Sequence, residues 1–183
     1  QLYPTLFSHY EKGNLVEVAD LEHVYQTEHV KIEDDNDPKY SFLKANVEKM
    51  RYKIEQCYQM AKESSEFTHA IWTRPDKDIL PSQNNLQTLM ELPVENHVYT
   101  EGGGRYGGGT ARAGDEIAFS NAKNMDIFSS AYSTIEAIKN YRLLGLEEHT
   151  PHKATFHNLA YRGIGVLKLP LRLGNYIDPI KLT

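Results

Sequence analysis

Apolar residues recur at steps of four and three through the first third of the chain: Leu43, Val47, Met50, Ile54, Cys57 and Ala61. That period is helical and places the six on one face. Lys44, Glu48, Lys53 and Lys62 fall on the opposite face. The pattern predicts an amphipathic helix from Tyr40 to about Ser64, with Cys57 on its core stripe as a small buried apolar group. It then changes to His69-Ala70-Ile71-Trp72-Thr73, a run of strand formers that predicts a strand packed on the helix before it. Before the helix, Leu15 to Val18 reads as a short strand. The acidic run Glu33 to Pro38 reads as a solvated loop that caps the next helix.

Further along, Asn84 to Leu92 predicts a short helix, and His97 to Thr100 and Glu116 to Phe119 predict strands. Met125, Phe128, Tyr132, Ile135 and Ile138 form a second helical stripe within Asn121 to Tyr141. Pro151 to Tyr161 predicts a third helix and Gly163 to Leu167 a last strand. Pro170 to Thr183 reads as an irregular tail. Helices alternating with strands, without a repeat or a linker, predict one α/β domain over 1–183. Its architecture is a sandwich with a central, mostly parallel or mixed sheet flanked by helices.

Composition narrows the classes of function. The chain has 183 residues, 40% apolar and 25% charged, with a net charge of -5, which argues against broad electrostatic binding of nucleic acid. A membrane span needs about 20 consecutive apolar residues, and no such run occurs, so neither a transmembrane helix nor a signal peptide is expected. A single cysteine excludes an internal disulfide and a thiolate zinc cluster and fits a reducing, cytoplasmic setting. Twelve Tyr and eight His supply polar aromatic surface of the kind that lines carbohydrate sites.

The chemistry gathers behind the strand at 69–73. Arg74-Pro75-Asp76-Lys77-Asp78 delivers two carboxylates in D-x-D spacing to a loop, where they can seat a hard divalent cation and Arg74 can face phosphates. The plainer reading is a solvated Pro-Asp turn. Residues 102–109 contain six glycines around Arg105 and Tyr106. The run lacks the spacing of a phosphate-binding loop and reads as a flap whose tip residues can reach a sugar or phosphate, or else as a surface tether. Asp115-Glu116 opens an apolar strand, where a carboxylate can accept sugar hydroxyls or act as a base. His149, His152 and His157 surround the third helix, and one of them can complete a metal site begun by Asp76 and Asp78.

Several of these segments occur in a family-like order: Met50 to Cys57 in the long helix, Thr73-Arg74-Pro75-Asp76 at the strand end, Gly114-Asp115-Glu116-Ile117-Ala118-Phe119-Ser120, Met125 to Ser130, then His157-Asn158-Leu159 and Arg162-Gly163-Ile164. Together they resemble a family of GT-A-type glycosyltransferases found in large algal viruses, bacteria and algae, including capsid-glycan transferase domains of chlorella viruses. The family's marks are an R-x-R-P-D-like strand end and a downstream D-x-[FI]-A-[FY]-[GS] segment. The resemblance implies a GT-A-like, Rossmann-related fold and a hexosyl- or deoxyhexosyltransferase using Mn²⁺ or Mg²⁺. The expected donor is a UDP-sugar and the acceptor a glycan or glycoprotein, in the cytoplasm of a cell or of an infected host. Asp76 and Asp78 would then hold metal and nucleotide, with His157 as a further ligand. Asp115 would serve the acceptor, and Arg74 and Arg105 the donor phosphates.

Three departures accompany the resemblance. Trp72 stands where the motif has its first Arg, Ser120 stands where Gly is frequent, and no strand for the nucleotide base precedes Gln1. Two other functions fit the residues. A D-x-D phosphohydrolase would use Asp76 as nucleophile, against which Pro75 and Leu80 count. A carbohydrate-binding domain without catalysis gains if the nucleotide-binding strand is missing.

Overall fold

Strands and helices take their places here according to which side chains satisfy buried main chain. The computed structural model describes residues 17–25, 27–31, 34, 36–43, 46–73, 77–79, 85–104, 113–114, 116–134, 151–170 and 173–176. The chain divides into two compact units, Gln1–Leu43 with Asp178–Thr183, and Lys44–Ile177.

In the first unit a helix, α1, covers Val18–Tyr25. This corrects the strand expected over Leu15 to Val18, of which residues 15 and 16 lie outside the described residues. The Asp20 carboxylate accepts the N–H of Glu17 at 3.0 Å, while the Glu17 carbonyl takes the N–H of Asp20 at 3.2 Å. An acid at the third helical position that holds the cap residue in this way starts a helix even at β-branched Val18. The acidic loop caps a 3-10 turn and not the long helix expected after it. Asp37 accepts the Lys39 N–H at 3.0 Å and opens a 3-10 turn at Pro38–Tyr40. The long helix starts at Asn46 and not at Tyr40.

In the second unit α2 covers Asn46–Ser64. Its buried positions are Arg51, Ile54 and Tyr58, a stripe turned by one residue from the expected one. Cys57 is consequently exposed, which corrects the reading of it as a core residue. Tyr58 is the residue that turns inward, because its hydroxyl donates to the Ala122 carbonyl and its ring meets Phe67 edge-on at 5.8 Å. The Cys57 thiol lies on the rim of an apolar cavity of about 240 Å³ between Ile54, Ala70, Trp72 and Phe128, and desolvation pushes its pKa up.

The remaining elements are β1 (His69–Thr73), β2 (Lys77–Ile79), α3 (Asn85–Met90), β3 (His97–Thr100), β4 (Ile117–Asn121), α4 (Ala122–Ser129), α5 (Pro151–Tyr161), β5 (Gly165–Lys168) and β6 (Leu173–Tyr176). Four strands form one sheet in the order β1-β4-β3-β5, and β2 pairs with β6 in a second. Pairs β1/β4 and β3/β4 are antiparallel and β3/β5 is parallel. The fold is therefore α/β with a mixed sheet, mostly antiparallel rather than mostly parallel. The parallel pair β3/β5 is joined through a long connection that carries α4 and α5, as a parallel pair requires. Strand β6 replaces part of the irregular tail expected after Pro170.

Alternation along the strands sorts the core into two layers. Val98 and Ala118, with Ala70, Trp72 and Val166 packed alongside, face Tyr58, Met125, Phe128 and Leu159 of the three long helices. Tyr99, Ile117 and Phe119 face Leu89, Val94 and Leu169. Asn121 ends β4 and caps α4, its side chain accepting the Asn124 N–H at 2.9 Å. The predicted helix over 121–141 is interrupted at Ser130, beyond which residues 131–134 are helical and 135–141 lie outside the described residues. The Glu55 carboxylate accepts the Ser133 N–H at 3.1 Å and so fixes the restart. Helix α5 closes as Gly163 adopts φ +73°, with Ile164 N–H returning to the Leu159 carbonyl at 3.0 Å. Among the described residues no helix is long and apolar enough to cross a membrane.

Asn124 is buried, and its amide lies within bonding distance of the Val94 carbonyl (2.7 Å), the Glu95 carbonyl (3.3 Å) and Ser120 Oγ (3.3 Å). Asn124→Ala strips donors from this buried main chain and should cost about 2–3 kcal/mol, read as a lower urea midpoint with an unchanged slope.

The Tyr58 phenol is pushed from 10.0 up to about 12, by burial first and by Asp126 second. The fold favours the neutral phenol. That contribution is therefore intact below pH 10 and is lost as the pH rises toward about 12. Stability measured across this window should fall less steeply in Tyr58→Phe than in the parent.

Candidate functional site

Four strand ends meet at one end of the main sheet. Thr73, the last residue of β1, pairs with Ile117, the first of β4. Thr100, the last residue of β3, pairs with Ala118 and with Lys168, the last of β5. The carboxyl ends of β1, β3 and β5 thus share an edge with the start of β4. In open α/β sheets the segments leaving carboxyl ends are where ligands bind.

A hydrogen-bonded knot occupies that edge. The Glu101 carboxylate accepts the N–H of Glu116 at 3.4 Å and of Ile117 at 3.2 Å. Thr100 Oγ1 accepts the Gly114 N–H at 3.3 Å and donates to the Gly103 carbonyl at 3.3 Å. The Thr100 carbonyl takes the N–H groups of Gly103 and Leu169, at 3.2 and 2.7 Å. Thr100 and Gly114 are buried, so these bonds satisfy main chain that water does not reach. Two glycines are steric requirements of the knot. A Cβ at Gly114 would overlap the Glu101 carboxylate, and Gly103 sits at φ +62° with its Cβ direction 3.0 Å from Lys168 N.

This corrects the first half of the expected flap. Residues 101–104 form a turn held against β5, where the glycines permit close approach of backbone. Gly104 is part of the same contact, its Cβ direction lying 2.9 Å from the Val166 carbonyl and 3.4 Å from the Phe156 ring. Arg105, Tyr106 and the rest of the glycine run to 109 lie outside the described residues.

The other sequence-predicted site residues are distributed unevenly. Arg74, Asp76 and Asp115 lie outside the described residues, as do His149 and the side chains of Asp78 and His152. The backbone of Asp78 is in strand β2, paired with β6, and not in the loop that the D-x-D spacing suggested. His157 is half-buried in α5, with its ring edge-on to Phe156 at 5.9 Å. Among the described residues no group of three or more His, Cys, Asp or Glu could hold a metal.

No protein-family model matches this chain, and no curated protein or solved structure matches it either. Two of the three departures from the resemblance, Trp72 and Ser120, have local explanations. Trp72 packs against the helix-side core, in register with Ala118. Ser120 is buried and donates to the His97 carbonyl. Both positions serve the interior of the sheet.

Sequence reasoning passed over Glu101. Its signal was an acid placed between a strand and a glycine run, the same kind of position that drew notice to Asp115. Gly114→Ala must expel the Glu101 carboxylate and should cost about 1–2 kcal/mol from the lost bonds to β4. In a Glu101→Ala background the same change should cost much less. A double-mutant cycle by chemical denaturation reads the coupling directly.

Proposed function

We propose that the Lys44–Ile177 unit is a metal-dependent glycosyltransferase domain of GT-A-like type, acting on a UDP-sugar donor and a glycan or glycoprotein acceptor. The observation that carries this reading is the register Thr73↔Ile117. It tethers the two motif segments, Arg74-Pro75-Asp76 and Gly114-Asp115-Glu116, to one end of one sheet although about forty residues separate them in sequence. The carboxyl ends of β3 and β5 border the same edge, where a donor and an acceptor can be held together.

On this reading each residue has a distinct task. Arg74 binds the donor diphosphate with a planar, charge-assisted fork, and Arg105 adds a second donor contact. Asp115 orients the acceptor hydroxyl and takes its proton as the oxygen attacks the anomeric carbon. Asp76 and Asp78, with His157, would hold the metal, and two carboxylates with one imidazole suit Mn²⁺ or Mg²⁺. Such an ion, when bound, would offset the charge that builds on the leaving diphosphate.

Calorimetric titration tests the reading. UDP should bind in the presence of Mn²⁺ and not in excess chelator. Asp78→Asn and Asp76→Asn should each weaken that binding at least tenfold with the melting temperature kept within a few degrees. Equal UDP affinity with and without Mn²⁺, or in both variants, would remove the metal-dependent reading. Saccharide binding without any nucleotide affinity would point instead to a carbohydrate-binding domain.

A further inference from the structure

We propose that the open edge of β1 receives an extended peptide strand whose phenylalanine side chain fills the cavity between α2 and β1. The proposal stands apart from the glycosyl-transfer reading. Strand β1 lies at the end of its sheet, and among the described residues β4 is its one strand neighbour. The Thr68 carbonyl accepts the Ala122 N–H at 2.9 Å. Main-chain groups alternate in direction along an antiparallel pair. Those of Ala70 and Trp72 therefore also point at β4, and those of His69 and Ile71 point outward. No described residue takes up these outward groups. Ile71 is 44% exposed, and positions 69–73 hold no Lys, Arg, Asp, Glu or Pro. An edge without such guards is a template for a further strand.

The cavity lies where the added strand would run. Ala70 and Trp72 pack on the helix side of the sheet, whereas His69 stacks on Phe119 of the opposite layer at 5.8 Å. All four residues 69–72 line the cavity, so it extends past the strand edge instead of lying under one face. Cys57 and Ala61 of α2 form the facing wall. On an added strand, a side chain opposite Ala70 points to the helix side and enters this space. Its volume of about 240 Å³ exceeds the roughly 150 Å³ of a cavity that holds benzene. Tyr58, Phe67, Phe128 and Met125 line it, and aromatic edges and sulfur favour an aromatic guest. The lining hydroxyls, of Tyr58 and Ser129, already donate to the carbonyls of Ala122 and Asp126, so an unsubstituted ring suits the cavity better than a phenol. A second copy pairing through its own β1 fits less well. Five residues make an edge about 17 Å long and about 10 Å deep, on the order of 200 Å², against roughly 800 Å² per partner in a stable interface. A twofold axis through such a join would also bring the second α2 to the same side of the sheet as the first. A peptide needs only the main-chain bonds and one anchored side chain.

The probe is the blocked peptide acetyl-Arg-Thr-Val-Phe-Val-Thr-Arg-amide, its basic ends chosen against the net charge of -5. Binding to the full chain is read by calorimetry and by the alkylation rate of Cys57, the chain's single thiol. The peptide should bind, and at saturation it should slow alkylation severalfold. Replacing its Phe by Ala should weaken binding roughly tenfold or more, the worth of burying an aromatic side chain. In antiparallel pairing its two Val residues bond to His69 and Ile71, and N-methylation of both should weaken binding roughly tenfold. Ile71→Pro deletes an outward N–H where an edge strand accepts proline. It should weaken binding as much, with the melting temperature kept within a few degrees. If Ile71→Pro unfolds the chain, the N-methylated peptide decides on the parent protein. Absence of binding by the Phe peptide overturns the proposal. Equal affinity of the Ala peptide takes the cavity out of recognition, and equal affinity of the N-methylated peptide leaves an apolar pocket without strand addition; either result overturns it. So does a parent dimer in sedimentation that Ile71→Pro dissociates, which makes a second copy the occupant. None of these outcomes depends on whether the chain binds UDP.

Discussion

Strand β4 must satisfy its main chain at both ends, and the second unit is arranged around that requirement. It runs between two antiparallel neighbours, and four of its five residues are buried. Buried N–H and C=O groups without partners are costly, and the ladder supplies partners only where strands overlap. Beyond the overlap, side chains take over. Glu101 accepts N–H groups at the start of β4. At the other end Asn124 and Asn121 donate to carbonyls of the segment leading into β3, Val94 among them.

This division of labour gives the two ends of the sheet different characters. The Asn124 end is closed. Its polar atoms are consumed by main chain, and Gly165 N–H joins them by donating to the Asn96 carbonyl at 2.8 Å. The Glu101 end gathers the starts of two segments rich in charged residues, 74–78 and 115–116. The helix layer supports both ends. Tyr58 from α2 and Asn121 from the strand–helix junction fix where α4 begins, and α4 in turn sets the register of the core stripe Met125 and Phe128.

Trp72 and Ser120 belong to the same logic. Trp72 fills space over the sheet, and Ser120 bonds the carbonyl of His97. A charge at position 72 would have to be buried against apolar neighbours, at a large desolvation cost.

Much of the element order was legible from local pattern. Strands at 69–73 and 97–100 and the helix at 151–161 follow from runs of strand formers or from helical period between clear breakers, signals carried by neighbouring residues alone. The failures share a cause. Val18 is helical because Asp20 reaches back to the cap. Cys57 is exposed because Tyr58 finds the Ala122 carbonyl sixty-four positions away. Residues 173–176 pair with 77–79, a partnership that no local pattern encodes. The strands at 69–73 and 116–119 were visible as local runs, while the pairing of Thr73 with Ile117 was not, since it depends on the antiparallel register of β1 and β4. Glu101 was the least visible of all: its role arises from main-chain N–H groups fifteen and sixteen residues away. The sequence by itself determined helix or strand where the local pattern was strong, at 69–73, 97–100 and 151–161, and which acids were available. Tertiary structure decided which of them stand together, because strand register and buried main-chain bonding are settled by distant partners.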